Sequence, residues 1–83
     1  MTHASHPDII KRLKRAEGHL RSVIAMIEAG RPCVDLAQQL HAVEAAVTNA
    51  KRELIHDHIE HCLDGGESAR GDVRDLKQLA RYL

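Results

Sequence analysis

Apolar residues in the first third of the chain fall at Ile9, Leu13, Ala16, Leu20, Val23 and Ile27, with spacings of 4, 3, 4, 3 and 4. That alternation marks one face of an α-helix. Pro7 with Asp8 behind it suits a first helical turn, and Gly30 followed by Pro32 suits a helix end. The pattern predicts helix 1 over 7–29. A second seam starts at once with Cys33, Leu36, Leu40, Val43, Val47, Ala50 and Leu54, and further four-residue steps reach His58 and Cys62. It meets no breaker before Asp64-Gly65-Gly66, which predicts helix 2 over 33–63, about 45 Å long. The short link at 30–32 folds this helix back antiparallel on the first. Asp72 is placed to cap a short helix 3 over 72–82, with Val73, Leu76, Leu79 or Ala80 and Leu83 as its apolar stripe. Residues 1–6 form a polar, flexible arm, and 1–83 is a single domain without internal repeats. Gly18, inside helix 1, costs about 1 kcal/mol relative to Ala unless a neighbouring helix packs closely there.

Composition makes a lone hairpin implausible. The 83 residues include no Trp, no Phe and one Tyr, so the apolar material is mostly Ala, Leu, Ile and Val. A chain this short buries only about 60% of its unfolded surface and usually needs a staple, a metal or a partner. Two hairpins pairing into a four-helix bundle solve the problem, so the expected fold is all-α: a three-helix protomer in an antiparallel four-helix-bundle dimer. Met1 to Lys14 has no apolar core of a signal peptide, and no apolar run is long enough for a membrane span. The expected setting is the cytoplasm, with two free thiols and no membrane partner. There is no Gly-rich phosphate loop, no Ser/His/Asp arrangement and little room for a substrate pocket, so the chain is not read as an enzyme.

Candidate chemistry concentrates in residues 55–63, I-H-D-H-I-E-H-C-L. On a helix His58 and Cys62 share a face, one turn apart, which is a two-point grip for a soft or borderline metal ion. Cys33 precedes His58 by 25 residues, about 37 Å on one helix, so one chain cannot close a site with all three. Two antiparallel copies can, because each end of one helix lies beside the opposite end of its partner. Thiolate and imidazole suit Cu(I), Zn(II), or Ni(II) once a further nitrogen joins, and His3, His6 or the terminal amine can supply it. His56 and His61 read as solvated or supporting residues, and His19 and His41 as packing or surface residues. A cysteine on an apolar stripe is also a common small core residue. On that plainer view the thiols only fill space in a structural helical oligomer.

Net charge is zero, but its distribution is uneven. Lys11, Arg12, Lys14, Arg15 and Arg21 crowd residues 11–21 of the first helix, where Glu17 is the one acid, whereas 53–67 holds five acids and no Lys or Arg. Lys51 and Arg52 extend the basic surface from the second helix. Displayed twice in a dimer, this surface suits a symmetric DNA site contacted mainly through phosphate. A metal carrier or store would use the same ligands and ignore DNA.

The segments R-L-K-R-A-E-G-H-L-R (12–21), M-I-E-A-G-R-P-C (26–33), Q-Q-L-H-A-V (38–43), 47–52 and H-D-H-I-E-H-C (56–62) together resemble the CsoR/RcnR family of metal-sensing bacterial repressors. The likeness runs from about Ile9 to Leu83. It implies an antiparallel four-helix dimer, commonly paired into a homotetramer, that binds operator DNA when apo and lets go on taking one transition-metal ion per protomer. The resemblance gives Cys33 to one chain and His58 with Cys62 to the other. Thr2 stands where the formaldehyde-sensing branch has Pro, and His58 where the persulfide-sensing branch has Cys. Pro32 and Gln78 occupy places where copper sensors often carry Tyr and Glu. With His3 and His6 on the arm, these departures favour Ni(II) or Co(II) over Cu(I). Asn49 stands where a basic residue is common, so the phosphate contacts are assigned to Arg12, Arg15, Lys51 and Arg52, with Lys11 and Lys14 behind them.

Overall fold

A computed structural model describes the backbone of residues 6–65 and 69–83, and the side chains of 6–61 and 74–83. It contains α1 (His6–Glu28), α2 (Cys33–Gly65), α3 (Ala69–Leu79) and a closing 3₁₀ turn (Ala80–Tyr82). Every described element is helical, as the periodicity predicts. Helix bounds differ from the sequence reading by one or two residues at α1 and α2, within ordinary fraying. Two differences matter. His6 opens α1 instead of closing the arm, which puts its side chain at a fixed place, while residues 1–5, His3 among them, lie outside the described residues. Asp72 lies inside α3 and does not cap it, because the helix already runs from Ala69.

The α1–α2 turn shows how local chemistry sets the hairpin. Gly30 has φ of 75°, the left-handed conformation that a side chain resists. Its N–H donates to the Ile27 carbonyl (3.0 Å) and the Arg31 N–H to the Met26 carbonyl (3.1 Å), the paired bonds of a Schellman end. Pro32 follows, its carbonyl accepts from the Leu36 N–H (3.1 Å), and α2 begins. Across the hairpin, His19 Nε2–H donates to Gln39 Oε1 (2.6 Å), and Arg12 pairs with Glu53 (2.5 Å).

The apolar seams split into two rows. Ile9, Ala16 and Val23 of α1, seven residues apart, are buried with Val43, Ala50 and Ile55 of α2. The alternate positions stay open: Leu13, Leu20 and Ile27 on α1 are 42–52% exposed, and Leu40, Val47 and Leu54 on α2 are 43–45% exposed. The chain measures 54 × 23 × 13 Å, so its thinnest dimension is about one helix diameter. A layer one helix thick buries only one side of each seam. Covering the six open side chains would contribute roughly 1 kcal/mol each, since about half of every one is already shielded. Gly18 faces open space within the single chain, so nothing in the hairpin requires its missing side chain.

Candidate metal centre and basic face

The unbroken α2 sets the geometry of the sequence-assigned ligands. At about 100° per residue, positions 33, 40, 47, 54, 58 and 62 fall within an arc of roughly 80° on one side of the helix. Cys33 therefore heads the same exposed stripe as Leu40, Val47 and Leu54, while His58 lies along its far end. Twenty-five residues of continuous helix keep Cys33 and His58 about 37 Å apart. Cys33, the first residue of α2, is an exposed free thiol. Cys62 follows His58 by one turn within α2, and its side chain lies outside the described residues.

At the His58 end the protein builds a cleft of about 390 Å³, where the start of α1, the end of α2 and α3 meet. His6, Ile55, His58, Asp75, Gln78 and Tyr82 line it. The His58 Nε2 atom is shielded from solvent and lies 3.9 Å from Asp75 Oδ2. The structure thus brings His6 and His58, both assigned as ligands from sequence, to one cavity. It also brings in Asp75 and Tyr82, which the sequence reading passed over, and Gln78, at the place where copper sensors often carry Glu. Three other histidines stand apart. His56 pairs with Glu60 (3.6 Å) and His41 with Glu44 (3.9 Å) on exposed helix faces, and His19 is engaged with Gln39. Among the described residues no three His, Cys, Asp or Glu side chains converge on one point. Thiols and imidazoles at the two ends of one stripe, with His6 in the same cleft as His58, fit a soft or borderline ion.

The basic residues separate into two groups. Lys11, Arg12 and Arg15 lie together with Asp8 at the outer side of α1. Arg12 and Arg15 also line a groove with His19, Ala46 and Asn49 between the helices. Arg52 follows Asn49 by three residues, one turn further along α2. Lys51 stands between the exposed Val47 and Leu54, on the apolar side of α2. Lys14 sits beside Ile10 and Leu13, on the corresponding side of α1. Arg12 is additionally tied to Glu53, with 57% of its side chain still open to solvent.

The model of a family described as metal-sensitive transcriptional repressors matches residues 5–83. The copper-sensing transcriptional repressor CsoR of Bacillus subtilis (strain 168) is 43% identical over 74 residues, covering 82% of this chain and 73% of the relative. CsoR of Mycobacterium ulcerans (strain Agy99) is 40% identical over 72 residues, covering 80% of this chain. The match spans 62% of that mycobacterial relative's own length. The solved structure of the nickel-responsive transcriptional regulator InrS superposes with a TM-score of 0.82 at 29% identity, covering all of this chain and 98% of that one.

Proposed function

This chain belongs to the metal-sensitive transcriptional repressors, and from that premise we propose that it represses a metal-efflux gene in the apo form and releases its operator on binding Ni(II) or Co(II). No helix among the described residues is long and apolar enough to cross a membrane. The proposed setting is the cytoplasm, with operator DNA and further copies of the same chain as partners.

One observation carries the reading. The rigid α2 holds Cys33 and His58 about 37 Å apart on a single half-exposed apolar stripe. Covering that stripe with an antiparallel second copy brings Cys33 of one chain to His58 and Cys62 of the other. Dimer formation and completion of the site are then one event, and two such dimers can associate into a tetramer. His6, in the cleft with His58, is the further nitrogen donor that favours Ni(II) or Co(II), with His3 close to it in sequence. The Cu(I) alternative has its own support in the copper-sensing relatives at 40–43% identity. Zn(II) suits the same donors as a tetrahedron.

On the opposite side of the hairpin, Lys11, Arg12, Arg15 and Arg52 form the proposed phosphate-binding face. Lys14 and Lys51 flank the dimer stripe and contribute at its margins. Ligand residues and basic residues occupy the same two helices, so drawing Cys33 toward the partner's site shifts the basic faces relative to each other. The ion and DNA then favour different arrangements of one bundle, and each weakens the other's binding by the same factor.

The test is anaerobic binding of the apo protein to the DNA upstream of its own gene, with Ni(II), Co(II), Zn(II) and Cu(I) added in turn under chelator control. Tight apo binding released by Ni(II) or Co(II) is the expected result, and release by Cu(I) alone would select the alternative. Stoichiometric metal uptake without apo DNA binding at moderate salt would instead identify a metal carrier. Arg15→Ala should weaken operator binding about tenfold and lower the salt slope by about 1, leaving metal affinity in the DNA-free protein unchanged.

A further inference from the structure

We propose that Lys51 of one chain pairs with Glu44 of its partner, twice per dimer by symmetry, and that these ion pairs set the antiparallel register of the two α2 helices. The inference rests on the reading that a second copy covers the exposed stripe of α2, and it names what aligns that copy.

The placement follows from the helix repeat. Eleven residues make three turns plus about 20°, with a rise of about 16 Å. Glu44 follows Cys33 by eleven residues, and Lys51 precedes Cys62 by eleven. Because α2 is unbroken from Cys33 to Gly65, Glu44 takes up the angular position of Cys33, and Lys51 that of Cys62. In an antiparallel pair, advancing along one helix and going back as far along the other keeps two positions opposite. An arrangement that brings Cys33 to the partner's Cys62 therefore brings Glu44 to the partner's Lys51.

Both charges border the apolar stripe, Glu44 beside Leu40 and Val47, and Lys51 beside Val47 and Leu54. The residues three and four positions from Lys51 are Val47, Thr48, Leu54 and Ile55, none of them acidic. Around Glu44 the same offsets give Leu40, His41, Val47 and Thr48, of which His41 alone can become cationic. Its Nδ1 stands 3.9 Å from Glu44 Oε1, and 77% of the Glu44 side chain is exposed. Neither charge has a full counter-charge one turn away on its own helix; each has one across the dimer. Exposed ion pairs add little stability, but like charges held opposite each other at an interface are costly. A parallel dimer in register would set Glu44 against Glu44 and Lys51 against Lys51, so the pair acts chiefly through the arrangement it forbids. Used between copies, Lys51 keeps only a marginal part in phosphate contact, in keeping with its place on the apolar side of α2.

The test uses full-length Lys51→Glu and Glu44→Lys chains, alone and mixed. Each variant alone sets like charges opposite each other at both positions, and sedimentation equilibrium should show dimer affinity lower by about 10- to 100-fold. Mixing the two chains restores both pairs, so native mass spectrometry should find heterodimers in more than about 90% of dimers, in place of the statistical mixture. Chelator competition should give these heterodimers the parent's Ni(II) affinity. If each variant dimerises like the parent and the mixture is statistical while Ni(II) binding persists, the shared metal site stands and the pairing is wrong. Loss of operator affinity in Lys51→Glu, with parent-like dimerisation, would likewise overturn the pairing and make Lys51 a phosphate contact. If Cys33→Ala binds Ni(II) like the parent, the shared site and the register built on it fall together.

Discussion

The two ends of α2 carry related chemistry in opposite settings. At the first end Cys33 is exposed, directly after a tight turn. At the other end His58 is set in a cleft built by three helices, with His6 and Asp75 at hand. One end is a prepared seat and the other a loose key. A single chain cannot bring them together because the helix between them is unbroken over 33 residues. The contrast teaches that preorganisation need not be shared equally over a ligand set. A built cleft can hold part of the set in place while the remaining donor arrives with another copy, and binding then reports on assembly as well as on the ion.

The severest way to break this relation is to keep both ends and remove what joins the copies. Val47→Asp places a charge midway along the exposed stripe, between Leu40 and Leu54. Sedimentation should show monomers, and metal affinity should fall by more than about 100-fold with Cys33, His58 and Cys62 all intact. A dimeric variant, or a monomer that binds the ion like the parent, would contradict a site shared across this stripe.

Mixing chains sharpens the comparison further. Cys33→Ala and His58→Ala homodimers should each lose the site, whereas a mixed dimer keeps one complete pairing, Cys33 of the His58→Ala chain with His58 of the Cys33→Ala chain. Titration of the mixed dimer should recover one ion per dimer at parent affinity. Recovery of none would place all the ligands within a chain.

The smallest effect is expected at the turn that presents the loose end. Gly30→Ala puts a side chain on a backbone with φ of 75° and should lower stability by about 1 kcal/mol, read from urea unfolding. In the folded dimer the affinity for metal should be unchanged, since the turn sets the start of α2 and not the cleft.

Much of this architecture is legible in the residues. Alternating 4-3 spacings reveal both long helices, Gly30 and Pro32 mark the turn, and the 25-residue interval from Cys33 to His58 excludes a site within one chain. The spacing cannot reveal which half of each seam the hairpin consumes. Ile9, Ala16 and Val23 alternate with Leu13, Leu20 and Ile27, and the geometry of the turn decides that the first set faces α2. Asp75 escapes for another reason. An acid on an eleven-residue amphipathic helix is ordinarily solvated, and only the crossing of α3 over α2 brings it near His58. The cap assigned to Asp72 fails because Ala69, Arg70 and Gly71 are already helical. Lys51 and Lys14 read as members of a single basic surface until rotation about each helix places them beside the apolar stripe.

The uninterrupted length of α2 also bears on how such a protein can change over generations. Along a rigid rod, losing or gaining a single residue between positions 33 and 58 would turn everything beyond it by about 100° and slide it by about 1.5 Å. Cys33, the open stripe and His58 would then no longer share one side. Substitutions meet no such barrier, since side chains at either end can be exchanged while the rod keeps its register. In a lineage of such chains, new metal preferences are expected to arise by changing letters at the ends, while the number of letters between them stays the same.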